Sequence, residues 1–174
     1  CEWGKEYDQY WVFEDDVFIP SVEAIENLIR KYSSYDLITA NNHAKLDQTM
    51  DWHWRSVVNS IPEPYHYSMV CAMGISKKLI NVIRKYARDR KRLFYCEVMF
   101  NTLAMQNRLS VVAAKELKSI LWMADWKMDH FIQLPQNVWH PIKDLDMHVH
   151  FRNSIKALTE NGYKAEEPLP DFLN

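Results

Sequence analysis

Apolar and polar positions in the first part of the chain predict a strand, a loop and a helix in succession. The run Tyr10-Trp11-Val12-Phe13 favours β-structure, and charged residues follow it at once, so we expect a buried strand ending at Glu14. Ser21 can cap a helix, and the apolar residues after it recur on one helical face: Val22, Ile25, Leu28, Ile29 and Tyr32. The pattern therefore predicts a β-loop-α unit with charged residues in its loop.

The middle of the chain continues this alternation. Residues 36–40 predict a second strand, and the polar residues 41–51 predict a loop. We expect a third strand over residues 65–73, with Gly74 ending it. Ser76 can then cap an amphipathic helix that continues to Ala87.

The last part of the chain has a weaker pattern. Residues 97–106 predict a helix and residues 109–113 predict a strand. A loop-rich region is expected next, and four large aromatic residues lie in it: Trp122, Trp126, Phe131 and Trp139. Residues 154–161 predict a short final helix, and the acidic, Pro-containing residues 164–174 predict a disordered tail.

Strands that alternate with helices indicate an α/β sandwich rather than a helical bundle or an all-β fold, and we expect its sheet to be mixed. The chain has 174 residues, of which 48% are hydrophobic, and this is enough for one sizeable core. We therefore expect a single domain over residues 1–163, followed by a tail over residues 164–174.

Charge and hydropathy argue against two classes of partner. The 21 basic and 23 acidic residues give a formal net charge of -2, so there is no general attraction to nucleic acid or to anionic membranes. The apolar runs are far shorter than the ~20 residues that span a bilayer. We expect no nucleic-acid partner and no membrane segment in this chain.

The cysteines and the first residue add three expectations. Three widely spaced cysteines are too few for a disulfide scaffold or a zinc finger, so buried free thiols are expected. No Asn-x-Ser/Thr site occurs, which slightly favours a cytoplasmic location. The chain begins at Cys1 a few residues before a strand, which is typical of a fragment or a processed product.

The most informative motif is the acidic triplet Glu14-Asp15-Asp16. Adjacent carboxylates disfavour one another's ionisation, and a divalent cation would relieve this repulsion. Ligands of open α/β sheets bind at the carboxyl ends of strands, and carboxylate oxygens suit Mg²⁺ or Mn²⁺, which can bridge the oxygens of a diphosphate. The alternative is a solvated acidic turn, and the apolar residues on both sides of the triplet argue against it.

The segment from Trp11 to Val17 resembles the Asp-x-Asp-type motif of GT-A glycosyltransferases. The resemblance implies a Rossmann-like αβα sandwich with a mixed central sheet, a Mn²⁺ or Mg²⁺ cofactor, and a UDP- or GDP-linked sugar as donor. It also implies that Asp16 ligates the metal directly, with Asp15 or Glu14 in support, and that all three contact the donor. The expected acceptor is a glycan or another molecule with a hydroxyl group.

Two downstream segments resemble the acceptor-binding part of the same family. Residues 69–76 would form a small-residue turn that places Gly74 near the acceptor, and residues 95–100 would open a helix with Glu97 near the acceptor hydroxyl. Glu97 is the candidate general base of an inverting transfer, with retention of configuration as the open alternative. The simpler interpretation of Glu97 is a negative charge that complements a helix amino terminus.

The segment Trp139-His140-Pro141-Ile142-Lys143 resembles the late metal-binding part of these enzymes. The resemblance implies that His140 completes the metal site and that Lys143 contacts the donor phosphates. His148 and His150 are a rival pair, because residues two apart on a strand face the same way.

Trp52 and Trp54 are candidate acceptor-binding residues, because aromatic rings stack on the apolar faces of sugars, although tryptophans more often fill cores. The resemblance covers roughly residues 7–143 and lacks the strands that grip the nucleotide base. We expect a preceding portion outside this chain, and the alternative is that the chain is not an intact nucleotide-sugar enzyme. The predicted function is metal-dependent glycosyl transfer. The alternatives are a metal-dependent phosphoester hydrolase and a non-catalytic carbohydrate-binding domain.

Overall fold

A computed structural model describes residues 7–45 and 52–173, and in this part the chain is a mixture of helices and strands. The elements in chain order are β1 (Gln9–Phe13), α1 (Val22–Tyr32), β2 (Leu37–Thr39), β3 (His43–Ala44), α2 (Trp52–Val58), β4 (His66–Tyr67), β5 (Ala72–Ser76), α3 (Lys77–Arg90), α4 (Cys96–Gln106), β6 (Val111–Ala113), α5 (Met128–Gln133) and α6 (Leu145–Glu160). The predicted α/β class is confirmed.

Four strands form the main sheet in the order β1-β5-β2-β6. Strand β5 runs antiparallel to both β1 and β2, whereas β2 and β6 are parallel, so the prediction of a mixed sheet is confirmed. The carboxyl ends of β1, β2 and β6 therefore lie at one edge, together with the amino end of β5, where Phe13 pairs with Ala72. We call this the carboxyl edge. Strands β3 and β4 form a separate antiparallel pair.

Helices cover both faces of the main sheet. Successive strand residues point to opposite faces, so neighbouring apolar residues of one strand pack against different helices. Leu37 packs in an apolar cluster with Leu79 of α3 and Val98 of α4. Its neighbour Ile38 packs in a second cluster with Leu28 of α1. The sheet is thus held between α1 on one side and α3 with α4 on the other, and its carboxyl edge is left for a site.

The predicted helix starts at Ser21 and Ser76 are confirmed. The Ser21 hydroxyl accepts a hydrogen bond from the Ala24 amide at 3.1 Å, and the Ser76 hydroxyl accepts one from the Leu79 amide at 3.1 Å. Each bond satisfies an amide that the first helical turn leaves without a partner. These caps fix α1 and α3 at positions that local sequence alone predicts.

The predicted strand over residues 65–73 is wrong in its bounds. It is two short strands, β4 and β5, separated by residues 68–71, and β5 continues through Gly74 to Ser76. Gly74 is needed inside β5, because a Cβ atom there would lie 2.7 Å from Cδ1 of Ile38 and 3.0 Å from the Trp11 ring. The glycine makes room for the large Trp11 ring and does not end the strand.

The final helix is longer than predicted. It is α6, which begins at Leu145 and therefore contains His148 and His150, so the prediction that these histidines lie on a strand is wrong. Its first turns pack on a third apolar cluster through residues four apart, which are Met147, Phe151 and Ile155. This cluster is largely aromatic, and it buries one face of α6.

Two predicted loops also differ from expectation. The described residues 164–173 are packed rather than disordered, since the Asp129 carboxylate accepts hydrogen bonds from the Glu166 and Glu167 amides and Leu173 is buried. Residues 41–45 contain β3, residues 46–51 lie outside the described part, and Trp52 and Trp54 belong to α2 instead of a loop.

In residues 7–45 and 52–173, no helix combines the length and the apolar character needed to cross a membrane.

Candidate metal centre

The acidic triplet forms a turn at the carboxyl edge, directly after β1. The Glu14 amide donates to the Cys71 carbonyl at 2.8 Å, and the Val17 amide donates back to the Glu14 carbonyl at 3.2 Å. The Ile142 amide then donates to the Asp16 carbonyl at 2.8 Å. These main-chain bonds hold the turn against the segment that carries His140, although the two are far apart in sequence.

Side chains from this turn converge on His140. Its Nε2 atom lies 3.2 Å from Oδ1 of Asp16 and 3.8 Å from Oε2 of Glu14. His140 and Asp16 are buried, whereas the Glu14 side chain is half exposed. Asp15 is exposed, and neither Asp15 nor Asp16 belongs to the group of ligand atoms within 4.8 Å of one another that the described residues form; of that group, Asp16 contacts His140. The structure thus brings together Glu14, Asp16 and His140 from the predicted site.

The His140 ring is held in one orientation by the main chain. Its Nδ1 atom lies 2.5 Å from the Leu121 carbonyl oxygen, and a carbonyl can only accept, so Nδ1 carries the hydrogen. The His140 carbonyl in turn accepts from the Trp126 indole at 2.9 Å. Nε2 therefore faces two carboxylates, and either a proton on Nε2 or a bound cation satisfies this contact.

Lys143 compensates part of this negative charge. Its ammonium group forms an ion pair with Oδ2 of Asp16, while Oδ1 of Asp16 is buried and has no hydrogen-bond donor. Burial raises the pKa of Asp16, but the bond from Lys143 and the nearby His140 outweigh it and hold that pKa below its ordinary value. The same pairing raises the pKa of Lys143. Asp16 is thus ionised at neutral pH, with one oxygen open towards His140.

Cys71 belongs to the same group of side chains, and sequence analysis missed it. Its Sγ atom, a carboxylate oxygen of Glu14 and a ring nitrogen of His140 all lie within 4.8 Å of one another. Burial, with added effects of Glu14 and Asp16, raises the pKa of the Cys71 thiol to about 12. The signal that could have found it is the antiparallel pairing of β1 with β5, which no local pattern reveals.

No protein-family model and no curated protein matches this chain. The chemistry of the site is therefore argued from its own residues. Carboxylate oxygens and an imidazole nitrogen that converge in a partly buried turn are suited to binding a divalent cation. The cation would compensate the two carboxylates, of which Lys143 pairs with only one.

Glu97 lies in the first turn of α4. Its carbonyl oxygen accepts from the Ser68 amide at 2.9 Å, and its partly exposed carboxylate accepts from the Cys96 thiol at 2.8 Å. Ser68, which bonds to Glu97, is three residues before Cys71, and three residues of extended chain span about 10 Å. The backbone of Glu97 is therefore tied to the segment that leads into Cys71.

The remaining predicted residues have other surroundings. Trp54 is partly exposed, its ring lies 5.8 Å from that of Tyr67, and the Lys45 ammonium lies 4.4 Å from its centre. The side chain of Trp52 is outside the described part. His148 is buried, with Nε2 2.9 Å from the Ile142 carbonyl, and His150 is exposed, so the structure does not bring this rival pair into the cluster.

Proposed function

We propose that this chain carries the catalytic part of a metal-dependent glycosyltransferase of the GT-A type. The observation that supports the proposal best is the convergence of the Glu14 and Asp16 carboxylates on Nε2 of His140. The group lies where strand β1 ends, which is the position at which open α/β sheets bind ligands. The mixed sheet with helices on both faces is consistent with a GT-A-like sandwich.

The donor atoms fit Mn²⁺ or Mg²⁺. Oδ1 of Asp16 is buried without a hydrogen-bond donor, so it is available as a ligand, and His140 is oriented by its bond to Leu121. A cation bound there would supply neutralising charge to the diphosphate of a UDP- or GDP-linked sugar. Lys143 is largely exposed beside Asp16 and would place a second positive charge next to the leaving group.

Glu97 would act on the acceptor. Its carboxylate is partly exposed and would take the proton of an acceptor hydroxyl. The acceptor oxygen would then form its bond to the anomeric carbon of the sugar as the bond from that carbon to the diphosphate oxygen breaks. The acceptor would be a glycan or another hydroxyl compound, with Trp54 on α2 as a stacking surface.

The test is a calorimetric titration with UDP- and GDP-sugars, in the presence and absence of Mn²⁺. We expect Mn²⁺-dependent binding of at least one donor, and the substitution Asp16→Asn should weaken it by about 100-fold or more, because a direct ligand is lost. Asp89→Asn, an equal charge change on the exposed end of α3, is the control and should leave the affinity unchanged.

Two results would contradict this assignment. One is donor binding that is equally strong without a metal, and the other is binding that survives Asp16→Asn. Either would mean that the carboxylates at the end of β1 do not hold the donor.

A further inference from the structure

The cluster at the carboxyl edge contains a third kind of ligand atom. Besides the oxygens of Glu14 and the nitrogen of His140, it includes the sulfur of Cys71, and the three ligand atoms lie within 4.8 Å of one another. Both Cys71 and His140 are buried. A sulfur atom in this position is not needed for a Mn²⁺ or Mg²⁺ site, since those ions prefer oxygen ligands.

Main-chain bonds, rather than the side chains, hold these residues together. Cys71 lies directly before β5 and Glu14 directly after β1, so they are neighbours across the antiparallel ladder, and the Glu14 amide donates to the Cys71 carbonyl at 2.8 Å. The His140 amide donates to the Ser119 carbonyl at 3.1 Å. The positions of the ligands are therefore set by the fold before any ion binds.

Zn²⁺ accepts all three of these ligand types: a cysteine sulfur, a histidine nitrogen and a carboxylate oxygen. Two ligands bound to one tetrahedral Zn²⁺ lie roughly 3.5 Å apart, and the 3.8 Å between His140 Nε2 and Glu14 Oε2 is close to that separation. The bond from His140 Nδ1 to a backbone carbonyl is also the usual arrangement behind a zinc-bound histidine. We propose that Glu14, Cys71 and His140 bind Zn²⁺, with Cys71 as a thiolate ligand.

Zinc binding would compete with the cation of the proposed transferase. His140 has one nitrogen available, since Nδ1 is engaged by Leu121, so a single cation can use it at a time. When Zn²⁺ binds, the sulfur–zinc bond forms and the thiol proton is released to solvent. Only this competition rests on the proposed function, because the zinc site itself is argued from the three ligands.

The test is a titration of the protein with Co²⁺, a spectroscopic substitute for Zn²⁺, in the absence of any nucleotide sugar. A thiolate ligand gives a charge-transfer absorption in the near ultraviolet, and we expect this band to saturate at one Co²⁺ per chain and to disappear when Zn²⁺ is added. Cys71→Ser should abolish the band. Cys96→Ser, which changes the exposed cysteine of α4, is the matched control and should retain it.

The outcomes separate the two proposals. Absence of the band in the unsubstituted protein would overturn the zinc site, and this result does not depend on whether the Cys71→Ser variant folds. A band that survives in Cys71→Ser would overturn it as well. If the band is present but no sugar donor binds with Mn²⁺, the zinc site stands and the transferase proposal fails. If both are observed, added Zn²⁺ should suppress the Mn²⁺-dependent donor binding.

Discussion

At the scale of residues, the main feature is the fixed orientation of His140 beside two carboxylates. The Leu121 carbonyl requires a hydrogen on Nδ1, so the ring is held with Nε2 facing Asp16 and Glu14. Three acceptors in contact are unfavourable unless a cation or a proton lies between them. Lys143 pairs with the other oxygen of Asp16, so the contact of Oδ1 with His140 depends on a proton on Nε2 or on a bound cation.

Glu97 gives a prediction at this scale, since the proposed base should affect turnover and not donor binding. The substitution Glu97→Gln keeps the size of the side chain but cannot accept a proton, and loss of a general base lowers kcat by about 10²- to 10⁴-fold. Steady-state kinetics and calorimetry on the same variant measure the two quantities. Glu160→Gln, at the exposed end of α6, is the control. An unchanged kcat in Glu97→Gln would remove Glu97 from the chemistry.

At the scale of elements, Asp36 joins three strands at the edge opposite the candidate site. Its carboxylate accepts from the Ser76 hydroxyl at 2.9 Å, from the Ser110 hydroxyl at 2.9 Å and from the Ser110 amide at 3.0 Å. It thereby ties the start of β2 to the end of β5 and to the residue before β6. Strand β5, which Asp36 holds at its end, also pairs with β1, and this pairing places Glu14 opposite Cys71.

Asp36 should therefore make stability depend on pH. Burial raises the pKa of Asp36, but the bonds from Ser110 and Ser76 and the charge of Lys78 outweigh it, so its pKa is held below the ordinary value of 3.8. A lowered pKa in the folded state means that the stabilisation is complete above the unfolded pKa and is lost as the pH falls through the folded one. At neutral pH, Asp36→Asn should cost about 1–3 kcal/mol of unfolding free energy.

Urea denaturation of the unsubstituted protein and of Asp36→Asn, at neutral pH and at successively lower pH, measures this dependence. The difference between the two proteins should shrink as the pH falls below 3.8, the ordinary pKa of the carboxyl. A difference of constant size across the series would show that the charge of Asp36 does not contribute.

The elements also show what local sequence can and cannot predict. Strand β1 and helices α1 and α3 were predicted because their signals are local, namely a β-favouring run and serine caps. The start of α6 was missed although it has a local signal, since the Asp144 carboxylate caps the helix by accepting from the Asp146 amide at 2.9 Å. Gly74 was misplaced at a strand end because its neighbour Trp11 comes from another strand.

At the scale of the whole molecule, the candidate site depends on contacts between distant parts of the chain. The pairing of Phe18 with Trp139 brings the acidic turn to the His140 segment, and β1 pairing with β5 brings Cys71 to Glu14. The resemblance predicts Asp16 and His140 as ligands of one metal, and the structure places Oδ1 of Asp16 3.2 Å from Nε2 of His140. No local rule pointed to Cys71, because its role follows only from the strand order.

The most direct test of the central claim is release of nucleoside diphosphate from a panel of UDP- and GDP-sugars, measured with hydroxyl acceptors present. We predict that the chain releases the diphosphate from at least one donor with Mn²⁺, that EDTA stops the release, and that excess Mn²⁺ restores it. Release that continues at the same rate in EDTA would contradict a metal-dependent transferase centred on Asp16 and His140.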